Sequence, residues 1–231
     1  MTGLSPYDSI ILNQYILESE EQTNLESITE KKQSLTFTDF MRNRFHGILD
    51  RMGAFLNGLG LMPNSMTVLG LGGNAVGAFL LSQGYMTVGG IIILLMGLVD
   101  ALDGAMARLR GMAGEFGAFV DSVTDRYSEL VIYLGLLYFY TAHHEIIPIL
   151  LVYVAAAGSV LVSYVRSRAQ SLGWDTKIGL LTRMERYMVL APTLILNIPL
   201  IGLWIIAIFA NLTAIQRIID VRRQAYRDKK P

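Results

Sequence analysis

Residues 86–142 read MTVGG IIILLMGLVD ALDGAMARLR GMAGEFGAFV DSVTDRYSEL VIYLGLLYFY TA. Within them, 86–109 and 115–141 are largely apolar, and each exceeds the roughly 20 helical residues that a hydrocarbon core of about 30 Å requires. The connection Arg110–Glu115 is short, so the two helices are expected to be antiparallel neighbours. Into this apolar hairpin the chain inserts Asp100, Asp103, Asp121 and Asp125, with Glu129 one turn further on. At 1.5 Å per residue, Asp100 and Asp103 lie about 21 and 26 Å from Met86, and Asp125 and Asp121 about 26 and 32 Å from Ala142. All four therefore reach a similar depth, near the end that carries the turn. Their spacings, i,i+3 and i,i+4, keep each pair on one face of its helix.

Outside this stretch the composition agrees. Across 231 residues, 52% are hydrophobic and only 16% charged, with a mean hydropathy of +0.43, too apolar for an ordinary soluble domain. Nineteen Lys and Arg balance nineteen Asp and Glu, so no net charge draws the chain to nucleic acid, and no nucleic-acid partner is expected. The absence of cysteine excludes disulfides, thiolate catalysis and Cys-ligated zinc. Three histidines, His46, His143 and His144, do not make a His-rich metal site. A metal would have to be held by oxygen, which points to a hard cation such as Mg2+ or Mn2+.

Residues 1–36 carry six acids against Lys31 and Lys32 and no continuous apolar run. A cytosolic, partly disordered extension is expected there, with one short helix at most over Ile10–Leu17, and neither a signal nor a transit peptide. Over 37–60 apolar residues recur at helical spacing (Phe37, Phe40, Met41, Phe45, Ile48, Met52, Phe55, Leu59), which predicts a juxtamembrane amphipathic helix, either on the membrane surface or packed on the bundle. Residues 61–225 form the expected all-α integral membrane domain, with six transmembrane helices near 66–83, 86–109, 115–141, 146–168, 184–198 and 200–220, and 226–231 a cytosolic tail. Ser82–Thr87, Ala142–Glu145 and Asn197–Pro199 contain no Lys or Arg, whereas Arg108–Arg110, Arg166–Arg186 and the chain ends are basic. This alternation predicts both termini, and the acids, on the cytoplasmic side of the cell membrane.

A carboxylate at the centre of a membrane helix costs about 2.5–3.5 kcal/mol, so four at one depth require positive partners. Ion pairs with Arg108, Arg110 and Arg126 are the plain structural solution. Divalent cations serving a phosphate-bearing substrate are the chemical one. Gly104, Ala107 and Gly117 keep side chains small beside the acids and leave room for such a ligand.

Asp100-Ala-Leu-Asp103-Gly104-Ala-Met-Ala107-Arg108, eight residues, then Gly117-Ala-Phe-Val-Asp121-Ser-Val-Thr-Asp125 matches D-x-x-D-G-x-x-A-R-x8-G-x-x-x-D-x-x-x-D at every fixed position. In this the chain resembles the CDP-alcohol phosphatidyltransferases. Pro63-Asn64-Ser65-Met66-Thr67 is similar to the family's P-N-x-x-T segment, and the likeness runs from about 37 to 225. The resemblance implies Mg2+ or Mn2+ on Asp100, Asp103, Asp121 and Asp125, with Asp125 also the general base. It implies a CDP-lipid, CDP-diacylglycerol or a relative, held by Asn64, Ser65, Met66, Thr67, Gly104, Arg108, Gly114 and Gly117. Six spans, a juxtamembrane helix, membrane-lipid contact and a homodimer are implied with it.

Ser163-Tyr-Val-Arg166-Ser-Arg168-Ala and Leu181-Thr-Arg183-Met-Glu185-Arg186 gather positive charge on the same side as the acids. Plain positive-inside topology would place them there; so would recognition of a phosphorylated acceptor by guanidinium forks. They are similar to the corresponding segments of phosphatidylinositol-phosphate synthases, although Met184 replaces a usual proline and Arg166 a common lysine. The likeness implies inositol phosphate as acceptor, its phosphate gripped by Arg166, Arg186 and Arg217, with CMP released into phospholipid biosynthesis. Glycerol 3-phosphate is the nearest alternative, followed by inositol or serine. Two other classes bury acids in membranes: Asp-rich prenyltransferases, whose motifs are spaced differently, and ion or proton transporters, which give no reason for Gly104, Ala107 and Arg108 at fixed spacing.

Overall fold

The computed structural model describes residues 47, 50–60, 63–110 and 114–227. The expectations for residues 1–36, for most of the juxtamembrane helix and for 228–231 lie outside them. Among the described residues seven helices follow in order: α1 (50–58), α2 (Pro63–Ser82), α3 (Met86–Leu109), α4 (Glu115–Ala142), α5 (Ile146–Ser171), α6 (Arg183–Ile195) and α7 (Pro199–Arg227). Among the described residues no strand occurs.

The helix ends show how an apolar chain turns without stranding its carbonyls. After α2, α4, α5 and α6 the backbone enters the left-handed region at Gly84, His144, Gly173 and Asn197. Each time the following amide bonds back across the end of the helix: Tyr85 to the Leu80 carbonyl (2.9 Å), Glu145 to Tyr140 (3.0 Å), Trp174 to Ala169 (3.0 Å) and Ile198 to Thr193 (2.8 Å). This closes carbonyls that would otherwise face hydrocarbon. Pro63 and Pro199 open α2 and α7, where the missing N–H costs nothing.

Four helices, α2 (from Ser65), α3, α5 and α7, are long and apolar enough to cross a membrane. Two of the six expected spans do not reach that standard. α4 has 28 residues but carries Asp121, Asp125, Arg126 and Glu129 within its first 15. α6 has 13 residues, about 20 Å of helix, short of a core of about 30 Å. Val76, Phe79, Leu94, Leu134, Leu150, Tyr153 and Trp204 all point outward, an apolar surface suited to lipid.

α2 packs on both α3 and α4, α3 on α6, α4 on α5, and α7 on α5 and α6. α3 and α4 both pack on α2, with few close backbone contacts between themselves, and their acid-bearing sides face one another across the cleft between them. Small residues make the close contacts. A Cβ on Gly135 would fall on the Ala78 carbonyl where α4 crosses α2, and one on Gly90 would lie 2.9 Å from the Ile195 amide nitrogen where α3 meets α6. Leu81, Ile93, Ile132, Leu136, Leu194, Leu203 and Ile206 fill the centre. α1 seats its Gly53 face on Ala105 and Leu109 of α3, and Asn57 Nδ2 donates to the Met106 carbonyl (3.3 Å), while Met52, Phe55 and Leu59 face outward. Over 50–58 the helix therefore packs on the bundle through one face and turns apolar side chains outward on another.

Candidate active site

The cleft between α3 and α4 gathers the acids. Asp100, Asp103 and Asp121 each place a carboxylate oxygen within 4.8 Å of the other two. Two come from one face of α3 and one from α4, so only crossing helices bring the three together. Asp103 is 6% exposed and accepts a hydrogen bond from Thr67 Oγ1 (3.1 Å), on the first turns of α2. Thr67, expected against the lipid, thus orients a carboxylate.

Asp125 is also buried, but it stands in an ion pair rather than in the trio. Its Oδ2 lies 2.5 Å from Arg183 Nη1 and 3.6 Å from Arg126 Nη1, and its Oδ1 is buried without a partner. The same Arg183 nitrogen lies 3.0 Å from Asp100 Oδ2. Of the arginines expected to offset the acids, only Arg126 touches one of the four; Arg110 donates to the Asn57 carbonyl and Arg108 is exposed. Arg183 is the cation the sequence reading left unassigned. A local signal for it exists: Thr182 and Glu185 form a capping box, which starts α6 at Arg183 and directs its first turn at the cleft.

One turn on, Arg186 is 1% exposed and grips Glu129 with Nε (2.6 Å) and Nη2 (2.8 Å), while Nη1 donates to the Leu181 carbonyl (3.3 Å). Arg217, also buried, donates to the carbonyls of Ile178 (2.9 Å) and Val162 (2.7 Å). Thr213 Oγ1 accepts from the amides of Leu180 (3.1 Å) and Leu181 (3.2 Å), so α7 pins the segment that leads into α6. The fold brings Arg166, Arg186 and Arg217 close enough for each of the first two to repel Arg217. Arg166 Nε is buried without a partner.

The remaining expected residues differ in their surroundings. Met66 is buried and Ser65 exposed; the Asn64 side chain lies outside the described part. A Cβ on Gly104 would meet only Arg108 Nη1, at 3.5 Å. Gly114 and Gly117 border open space, with nothing within 4 Å of a Cβ.

The model of one family, CDP-alcohol phosphatidyltransferase, matches residues 60–216, most of the 231. The chain belongs to that family. The archaetidylinositol phosphate synthase of Pyrococcus horikoshii is 32% identical over 177 residues, 76% of this chain and 92% of that protein. The crystal structure of Mycobacterium tuberculosis phosphatidylinositol phosphate synthase with CDP-DAG bound superposes with a TM-score of 0.70 at 29% identity, covering 75% of this chain and 93% of that one. The same synthase in complex with manganese and citrate gives a TM-score of 0.70 at 28% identity, covering 75% and 88%. A member of the family thus holds a divalent metal, as the trio of carboxylates would.

Proposed function

We propose that this chain transfers a phosphatidyl group from CDP-diacylglycerol, or a closely related CDP-lipid, to the hydroxyl of inositol phosphate and releases CMP. The observation that carries the proposal is the meeting of Asp100, Asp103 and Asp121 within 4.8 Å, with Arg183 on Asp100. The names of the Pyrococcus and Mycobacterium relatives support the acceptor.

Three carboxylates and no nitrogen or sulfur donor suit a hard divalent ion, Mg2+ or Mn2+, which Asp100, Asp103 and Asp121 would hold with Asp125 completing the set. Bound there, the ion supplies neutralisation of the charge that develops on the pyrophosphate as CMP departs. The side chains supply the rest. Thr67 keeps the Asp103 carboxylate turned into the cleft. Asp125, with Oδ1 uncommitted, serves as general base and takes the acceptor's proton as the hydroxyl oxygen attacks phosphorus. Asn64, Ser65, Met66 and Thr67, with Gly104, Arg108, Gly114 and Gly117, form the CDP-lipid side, where the open space at the two last glycines supports close approach. Arg166, Arg186 and Arg217 take the acceptor phosphate, an anion that offsets the repulsion Arg166 and Arg186 exert on Arg217. Arg186 does so by exchanging part of its hold on Glu129.

For topology we take six spans, adding α4 and α6 to the four apolar helices, with residues 61–225 as one membrane domain. The charges of α4 turn into the cleft, and α6 is sheltered by α3 and α7. The distribution of arginines supports cytoplasmic termini and a cytoplasmic-facing site in the cell membrane, and the resemblance to the family supports a homodimer. The test is CMP release by the purified protein with CDP-diacylglycerol, Mg2+ and, separately, inositol phosphate, glycerol 3-phosphate, inositol or serine. CMP is expected with inositol phosphate. Release with another acceptor alone corrects the acceptor, and none with any overturns the transferase.

A further inference from the structure

Arg183 uses a single nitrogen, Nη1, to touch Asp100 of α3 (3.0 Å) and Asp125 of α4 (2.5 Å). Its Nε is buried with no partner. Arg186 one turn on spends Nε, Nη1 and Nη2 on defined acceptors. The two arginines therefore differ in kind: Arg186 is bolted to Glu129, whereas Arg183 rests on the acids by one edge. The backbone beneath it is held independently, by the capping box of Thr182 and Glu185, by the Arg186–Glu129 pair, and by Tyr187, whose hydroxyl donates to Asn74 Oδ1 (2.8 Å). The side chain can leave the acids without α6 moving.

Asp100 is claimed twice, by Arg183 and by the trio of carboxylates proposed to hold the metal. A guanidinium and a divalent cation repel one another, and both cannot hold the same carboxylate at full strength. We infer that Arg183 is a positioning residue, an internal cation that neutralises Asp100 and Asp125 until a divalent ion displaces it, after which its guanidinium is free to meet phosphate. This rests on the assignment of the metal to Asp100, Asp103 and Asp121. It makes the metal-free cleft an ion-paired one rather than a cluster of bare carboxylates in a membrane, where unpaired charge is costly. It also couples the two ligands: an anion that draws Arg183 away strengthens metal binding, and the metal strengthens anion binding by the same factor.

The experiment measures Mn2+ binding to the full-length protein in detergent, with no lipid or phosphate present, from the loss of the free-ion electron paramagnetic resonance signal. R183M removes the competing charge and should bind Mn2+ at least about tenfold more tightly than the unchanged protein, as expected for loss of a charge-assisted contact. R183K, which keeps the charge, should gain less than R183M. Unchanged or weaker Mn2+ affinity in folded R183M overturns the inference. A second measurement needs no variant at Arg183: in the unchanged protein, Mn2+ should raise phenylglyoxal labelling of Arg183, mapped by mass spectrometry. Labelling that stays constant up to metal saturation also overturns it. Mn2+ binding that is absent, or equal in D103N, is a different failure, since it removes the metal assignment and the competition with it.

Discussion

Asp103 and Asp125 are both buried acids, yet they are held in opposite ways, one by a neutral hydroxyl and the other by a guanidinium. Both are expected to be indispensable for different reasons. D103N removes a charge from the carboxylate trio and should abolish Mn2+-dependent turnover. D125N removes the proposed base, for which a loss of about 10²–10⁴ in kcat is expected. Both changes are nearly isosteric, so melting in detergent should shift far less than CMP release; near-normal rates in either would refute the role assigned to it. Arg186 makes a different kind of prediction. Its pair with Glu129 is almost wholly buried, so R186M leaves a carboxylate stranded and should cost about 3–5 kcal/mol. The double variant E129L/R186M should recover much of that loss. Recovery of stability without recovery of the KM for inositol phosphate would support a second, phosphate-gripping role for Arg186; recovery of both would limit it to holding α4 against α6.

At the scale of the element, glycines separate packing from ligand binding. Gly135 presses α4 against the backbone of α2 at Ala78, whereas Gly117, on the same helix, has nothing within 4 Å of a Cβ among the described residues. G135A should lower stability by about 1–3 kcal/mol, the usual cost of overpacking, with little change in KM for the CDP-lipid in the molecules that fold. G117A should leave melting unchanged and raise that KM. If G117A behaves like wild type in the CMP assay, the lipid does not approach α4 there. The start of α6 is a third case. T182A removes one half of the capping box and should cost about 1 kcal/mol. Because that cap directs Arg183 at Asp100 and Asp125, T182A should also change Mn2+ affinity, read by the same resonance titration.

The whole molecule poses the question of topology, and its lack of cysteine makes the question easy to ask. Single cysteines at Gln83 and His144, in the turns after α2 and α4, should react with a membrane-impermeant maleimide added outside intact cells. Cysteines at Asp175 and Arg227 should react only after permeabilisation. Labelling of Asp175 from outside would break the six-span arrangement and place the acids on the wrong face. The short α6 is the element on which this turns. It reaches about 20 Å, and the 172–182 segment that leads into it is tied down by Thr213 and Arg217.

Periodicity, spacing and charge placement were sufficient to read the helical hairpin, the shared faces of its acids, the phosphatidyltransferase signature and the basic segments, because each is a property of one helix or of a stretch that can be read locally. Two of the six expected spans do not stand out as apolar helices, since α4 carries Asp121, Asp125, Arg126 and Glu129 and α6 has only 13 residues. What the tertiary structure alone decided are the pairings across the chain. Thr67 reaches Asp103 from 36 residues away, and Arg186 reaches Glu129 across 57. Arg183 claims Asp100 and Asp125 together, although Arg126 stands next to Asp125 in sequence. Which cation neutralises which acid depends on where three helices cross, and a crossing is set by small residues such as Gly90 and Gly135 meeting a partner backbone, not by the order of charges along the chain.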